Sequence, residues 1–430
     1  MEFEVIKKSK DNKSRLGLIK TAHGEINTPV FMPVGTVGAV KGISPQELNE
    51  VGAEIILGNT YHLYLRPGEK LIKKMGGLQK FNSWNKPILT DSGGYQVFSL
   101  GKNKFKISND EDNDFGELVK ITDEGVEFKS FIDGSKHFFS PEKVIDIQLD
   151  LGSDIIMPLD YCPSAEADKS EIERAVDLTN IWFERAYKHF HKKMENYSKG
   201  LSFTNKPALF CIVQGGVYKD LREKSFKFLS QFDVDGYAIG GVANAGESKE
   251  KQHTALQYTL PLLPEDKPRY LMGVGEPEDL IYAIGQGIDM FDCVLPTRLG
   301  RHGTCWVISG ILNQKHTVNF SSEKLPLASR SATPDSESGD HARLTSDTVF
   351  DIKIPEQLDF EYEKIDLRKA EFREDTMPIM KDCGCYACCN FSRSYIHHLI
   401  KEKEMLGIRL TSIHNLYFLI NLVKKIRKSI

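Results

Sequence analysis

Residues Gly287–Arg301 read GIDMFDCVLPTRLGR: a short apolar run from Ile288 to Phe291, an acid at Asp292, then a turn carrying Pro296, Thr297, Arg298 and Arg301. The run has the look of a strand, and the acid falls where a buried strand gives way to a loop. A carboxylate there is costly to bury unless something uses it. The two guanidinium groups can grip phosphate bidentately and stay charged at any physiological pH. By itself the stretch fits better an Asp that caps the next helix beside two solvated arginines. The rest of the chain decides between the two.

Upstream the same pattern recurs. TPVFMPV (Thr28–Val34) leads to a glycine-rich turn and to Ser44–Pro45, a good helix start. AEIILGNT (Ala53–Thr60) ends in Asn59; KPILTDSGGYQ (Lys86–Gln96) ends in Asp91, Ser92 and two glycines. SDIIMPLDYC (Ser153–Cys162) ends in Asp160, and an amphipathic helix is expected over about Lys169–His191. ALFCIVQGG (Ala208–Gly216) ends in Gln214, DGYAIGGVA (Asp235–Ala243) in Gly240 and Gly241, and RYLMGVG (Arg269–Gly275) in Met272 and Gly273. With IDMFDC these make eight strand candidates alternating with helical segments, the signature of βαβ units and a parallel sheet. Eight favours a closed (β/α)8 barrel over an open doubly wound sheet, although periodicity does not show closure. In such barrels the chemistry sits at the C-terminal strand ends, where this chain repeatedly places Asp, Gln, Gly and Ser. That recurrence turns Asp292 from a cap into part of a shared site.

Composition narrows the class. At 430 residues with a net charge of -4, the chain is not a nonspecific coat for nucleic acid. Its last stretch, Phe391–Ile430, nevertheless holds eight Lys and Arg against two Glu, a local patch for an anionic partner. No apolar run reads as long enough to span a bilayer and the start, MEFEVIKKSK, lacks a signal-peptide core, so the expected location is the cytoplasm, with no membrane partner. The expected domains are a barrel over 1–320 with an insertion near 101–117, a polar and partly disordered linker over 321–381, and a basic helical subdomain over 382–430 packed on the barrel. Alternating polarity in ITDEGVEFKSFIDGSKHF marks a hairpin after the first insertion.

Of the eight cysteines, Cys162, Cys211, Cys293 and Cys305 are scattered, whereas Cys383, Cys385, Cys388 and Cys389 crowd into CGCYACC. Three thiolates within six residues are good metal-ligand geometry and poor packing, and with one imidazole they make a closed, structural Zn2+ site. His397, His398 and His414 all follow on amphipathic helices, and Cys389 is a further candidate; composition does not choose among them.

DSGGYQVFSL, LDYC, VQGG, AIGG, YLMGVG, GIDMFDCVLPTR and CGCYACC with YIHHLI downstream resemble the bacterial-type tRNA-guanine transglycosylases, also called queuine tRNA-ribosyltransferases. The similarity runs from about Phe31 to Lys425. It implies a TIM barrel with a C-terminal zinc-binding subdomain, typically a homodimer, that exchanges the wobble guanine of tRNA for a 7-deazaguanine base, preQ1 or queuine. By motif it implies Asp292 as nucleophile and Asp91 as general acid/base, the double-displacement logic of a retaining glycosidase with the incoming base in place of water. It further implies Asp160, Ser92, Gln214, Gly240, Gly241 and Val242 around the base, Tyr95 and Met272 on its two faces, and Arg298 and Arg301 on the tRNA phosphates. The SIHN context selects His414 as fourth zinc ligand. The chain departs from the family's usual pattern at Tyr161, where Glu is common, and at Val242, where Leu is common. A retaining glycoside hydrolase would predict aromatic sugar platforms, which three Trp do not supply. A noncatalytic tRNA-binding subunit would have no need of both Asp91 and Asp292.

Overall fold

The computed structural model describes residues 1–97, 119–164, 166–197, 206–242, 248–311 and 360–430. Eight parallel strands close into a barrel: β1 (Val30–Gly35), β2 (Ile56–Asn59), β3 (Ile88–Asp91), β4 (Ile155–Ile156), β5 (Ala208–Val213), β6 (Gly236–Ile239), β7 (Arg269–Leu271) and β8 (Met290–Cys293). Each pairs with its neighbours in chain order, and β8 closes the ring on β1 with Phe291 opposite Phe31 and Asp292 opposite Met32. β4 is only two residues long, paired to both β3 and β5; Pro158 follows closely, and a proline cannot donate to a ladder.

Side chains alternate across these strands, as the period of two requires. Met32, Leu57, Leu89, Ile155, Met157, Phe210, Ile212, Ala238, Tyr270 and Met290 form the cluster inside the barrel. Phe31, Ile56, Ile88, Ile156, Leu209, Cys211, Val213, Ile239, Leu271 and Phe291 belong to the outer core between strands and helices. The N-terminal end is covered by an antiparallel sheet of Glu2–Lys8, Arg15–Thr21 and Gly24–Thr28, whose Ile19 and Ile26 join the inner cluster. Arg15 locks that cover in place: Nε and Nη2 meet the two oxygens of Asp289 at 3.0 and 2.6 Å, a bidentate pair with both side chains almost wholly buried.

The expected helix start at Ser44–Pro45 is a full capping box, Ser44 accepting from the Glu47 N–H while the Glu47 carboxylate accepts from the Ser44 N–H. The amphipathic helix expected from Lys169 runs on to Tyr197. The expected hairpin is a three-stranded sheet, Val119–Thr122, Gly125–Lys129 and Lys136–Phe139. The insertion near 101–117 and residues 321–359 lie outside the described residues. From 360 onward the polar segment is ordered structure: Phe360–Asp366 pairs antiparallel with Thr304–Ile311.

The helix after β8, Leu295–Arg301, is short, and a second helix, Met405–Ser429, lies against it and against β1. By length and composition this 25-residue helix passes as a membrane span, which the sequence reading did not anticipate, yet most of its apolar window is buried inside the fold. Polar groups on it are buried too: Thr411, Ser412, His414 and Asn415 are all 0% exposed. Its apolar character is that of a core helix.

Candidate active site and metal centre

The alternation that fills the barrel also aims the site. Two residues beyond an inward apolar side chain the next position again faces inward, now at the C-terminal mouth: Leu57 leads to Asn59, Leu89 to Asp91, Ile212 to Gln214, Ala238 to Gly240, Tyr270 to Met272 and Met290 to Asp292.

Asp292 is held on one oxygen. Its Oδ1 accepts from the Tyr270 hydroxyl at 2.6 Å and from the Gly273 N–H at 2.7 Å, and no protein donor meets Oδ2 among the described residues. Burial pushes its carboxyl above the usual range while those two donors oppose the shift. Asp91 is held on both oxygens, by the Thr60 N–H at 3.0 Å, the Gly93 N–H at 3.1 Å and Asn59 Nδ2 at 2.6 Å. Burial pushes it up to about 7, and the charges of Asp292 and Asp160 push the same way against the backbone donors. The two carboxylates therefore share one mouth and feel one another.

Asp160 follows β4. Its Oδ2 accepts from Gln214 Nε2 at 2.8 Å and its Oδ1 from Ser92 Oγ at 3.3 Å; burial pushes it up to about 6. The Gln214 side chain lies close against the glycine pair that follows β6, since a Cβ at Gly240 would stand 2.7 Å from its Nε2 and one at Gly241 2.7 Å from its Oε1. Gly241 also has φ +66°, so both space and backbone demand glycine there. Beside Gln214 and Gly241 opens a cavity of about 60 Å³ bordered by Pro163, Ile172, Gly216 and Tyr218. Met272 packs on the inner cluster, Tyr95 is 45% exposed, and Val242 and Tyr161 are buried in the outer core, with the Tyr161 hydroxyl donating to Glu171 on the helix outside the barrel. Arg298 is exposed; Arg301 is half-buried and its Nη1 is buried with no hydrogen-bond partner.

Three residues of this arrangement carry no sequence signal of their own. Tyr270 reads as a strand aromatic, and only the register of β7 against β8, Tyr270 opposite Met290, places its hydroxyl under Asp292. Asn59 reads as the polar end of a strand pattern, with nothing in the sequence to mark it as a donor to Asp91. Arg222 reads as surface charge in KDLREKSFKFL, yet it is 0% exposed.

Cys383, Cys385, Cys388 and His414 bring their ligand atoms within 4.8 Å of one another. His414 Nδ1 stands 3.7, 3.6 and 3.3 Å from the three sulfurs. A tetrahedral ion with metal–sulfur bonds of about 2.3 Å and metal–nitrogen bonds of about 2.0 Å sets such ligands roughly 3.5 Å apart. The other ring nitrogen, Nε2, meets the Trp306 carbonyl at 2.8 Å and must donate to it, which leaves Nδ1 as the lone-pair ligand. His397 is tied to the Leu367 carbonyl and His398 is exposed, so neither joins the set; Cys389 is exposed, with its sulfur near the Cys383 carbonyl. The four residues fit a structural metal ion.

Comparison with known proteins agrees with this architecture. The family model for queuine tRNA-ribosyltransferase matches residues 10–430. The protein from Caldanaerobacter subterraneus subsp. tengcongensis that carries that name is 46% identical over 430 residues, covering 100% of this chain and 93% of the relative. A namesake from Halothermothrix orenii is 44% identical over 430 residues, covering 100% and 94%, and one from Fusobacterium nucleatum subsp. nucleatum is 46% identical over 423 residues, covering 98% and 92%. The chain belongs to the queuine tRNA-ribosyltransferase family.

Proposed function

We propose that this chain is a tRNA-guanine transglycosylase that exchanges the wobble guanine of tRNA for a 7-deazaguanine, preQ1 or queuine, in two displacements at C1′ of the ribose. The observation that carries the reading is the pair of unlike carboxylates in one mouth: Asp292 with a free oxygen, and Asp91 poised near neutrality.

In the first step Asp292 Oδ2 forms a bond to C1′ as the bond from C1′ to N9 of guanine breaks, and the departing base takes a proton from Asp91. In the second, Asp91 removes the N9 proton of the incoming base, N9 bonds to C1′, and Asp292 leaves as a carboxylate. A group that gives a proton in one step and takes it in the next works best with a pKa near the operating pH, and burial beside two acids supplies that. The Tyr270 hydroxyl and Gly273 N–H stabilise Asp292 as it regains its charge.

Asp160 takes the two N–H groups on the amidine-like edge of the base, with Gln214 and Ser92 fixing its orientation. Gly240 and Gly241 give a backbone wall that a flat ring can approach, bounded behind by Val242. Tyr95 and Met272 cover its faces, and Arg298 and Arg301 hold the anticodon phosphates. The Cys3His set would hold Zn2+, whose role when bound is to fix the C-terminal helices with no coordination position left open. A cytoplasmic homodimer belongs to the same reading, supported by the family resemblance.

Incubation of the protein with labelled guanine and unmodified tRNA tests it: label should enter the RNA at the wobble position, and absence of label, or label at any other position, contradicts the reading.

A further inference from the structure

Arg222 has no place in the chemistry above, yet the fold spends a fully buried cation on it. It sits in the helix Lys219–Leu229 behind β5 and is 0% exposed. Its fork reaches three backbone carbonyls: Nε meets that of Gly216 at 2.8 Å, Nη1 that of Val213 at 2.8 Å and Nη2 that of Gly240 at 3.0 Å. Val213 ends β5, Gly216 lies in the loop after it, and Gly240 directly follows β6. A single guanidinium thus ties together the mouth ends of two neighbouring strands.

The third bond has a consequence for the pocket. In a trans peptide the carbonyl of one residue and the N–H of the next point opposite ways. With the Gly240 carbonyl turned back to Arg222, the Gly241 N–H is turned away from it, and Gln214, which reaches Asp160, lies beside the same glycine pair. Among the described residues no protein acceptor meets the Gly241 N–H, while the Gly240 N–H is taken by the Val213 carbonyl at 3.1 Å. Two glycines in sequence form a soft hinge that tolerates either peptide orientation. Something outside the pair has to choose one.

We infer that Arg222 is a positioning residue for base selection: by holding the Gly240 carbonyl it presents the Gly241 N–H as a fixed donor for the 6-oxo group of the base. The inference rests on the transglycosylase reading and adds to it the origin of the preference for a 6-oxo ring. Asp160 reads donors on the ring edge; the Gly241 N–H reads the acceptor beside them. Lysine cannot replace this fork, because an ammonium is a point charge that does not span three carbonyls.

The test pairs a protein change with a base change. Guanine and 6-thioguanine share the N1–H and the 2-amino group and differ in the strength of the acceptor at position 6. Their inhibition or exchange constants are measured on the wild-type protein and on Arg222→Lys and Arg222→Met, beside the KM for tRNA. The wild-type protein should favour guanine by about tenfold, the scale of one hydrogen bond. In the variants guanine should weaken about tenfold, 6-thioguanine by less than about twofold, and the KM for tRNA should hold. Parallel weakening of both bases, or no change in either, overturns the assignment, since a purely structural role would not distinguish oxygen from sulfur. If neither variant folds, equal affinity of the wild-type protein for the two bases still overturns it. Failure of the transglycosylase reading would show differently, as no exchange of guanine by the wild-type protein at all.

Discussion

At the scale of single residues, the site depends on giving identical side chains different neighbours. Asp91 and Asp292 are both half-buried aspartates that desolvation raises, but Asp91 is pushed up to about 7 with the charges of Asp292 and Asp160 contributing, whereas for Asp292 a hydroxyl and an N–H oppose the rise by favouring its ionised form. Asp91 carries its proton below about pH 7 and loses it above. Adduct formation, which consumes that proton, should therefore fall as pH rises through about 7, while release of the adduct to an incoming base should rise over the same range. Single-turnover measurements of the two half-reactions check this, and parallel pH profiles would contradict it. Replacing Tyr270 with Phe removes a donor to a charged group, an interaction of roughly 1.5–3 kcal/mol. The second half-reaction should slow by about tenfold or more, adduct should accumulate, and the acid limb of the first should move to higher pH as Asp292 rises further. The three acids were legible because a carboxylate at the end of an apolar run is conspicuous. The roles of Tyr270, Asn59 and Arg222 were not, because a strand tyrosine, a strand-end asparagine and a helix arginine are ordinary until the fold shows what they face.

Elements place these residues with little freedom. Parallel strands buried on both faces read as continuous apolar runs, so the sequence shows where the strands lie but not which side chains point inward. Hence the strand-end polar residues could be listed from sequence, whereas the register that lets Tyr270 reach Asp292 could not. The helix Met405–Ser429 shows the same limit: its pattern gives an apolar helix, and only the fold shows that it braces the turn after Asp292. Asn415 on it donates to the carbonyls of Pro296 and Thr304 and accepts from the Trp306 N–H, and Thr411 donates to the Gly300 carbonyl. A Cβ at Gly300 would lie 2.6 Å from Ser412 Oγ and 2.7 Å from its backbone nitrogen, so the two helices approach backbone to backbone there. His414, one residue before Asn415, anchors the same turn of helix to the cysteines. Where these four residues hold a metal ion, its removal should loosen this brace and with it Arg298 and Arg301. Binding of tRNA should weaken by about tenfold or more, while calorimetric binding of guanine changes by less than about twofold; equal loss of both would place the metal's influence inside the base pocket.

For the molecule as a whole, the two ends of the barrel divide the work. The C-terminal mouth gathers raised carboxylates, which cost stability when ionised. The N-terminal end is plugged by an antiparallel sheet and the buried Arg15–Asp289 pair, with Asp289 also accepting from the Arg269 N–H at 2.7 Å. Asp289→Ala leaves the buried Arg15 charge without its carboxylate, with only the Glu265 and Lys267 carbonyls to meet it, and should destabilise the fold by on the order of 3–5 kcal/mol; denaturant unfolding checks this, and a loss below about 1 kcal/mol would show that the plug is not integral to the barrel. Closure of the barrel was inferred from the number of strands, and the pairing of β8 with β1 supplies it directly; the ordered strand Phe360–Asp366 was hidden because its charged alternation, FEYEKID, matches a solvated segment as well as an edge strand. The account stands or falls on the bond between the protein and the ribose. Wild-type protein mixed with unmodified tRNA should give an RNA-linked band that survives denaturing electrophoresis, and Asp292→Asn should give none; an undiminished band from the Asn variant would move the nucleophile elsewhere and remove the central claim.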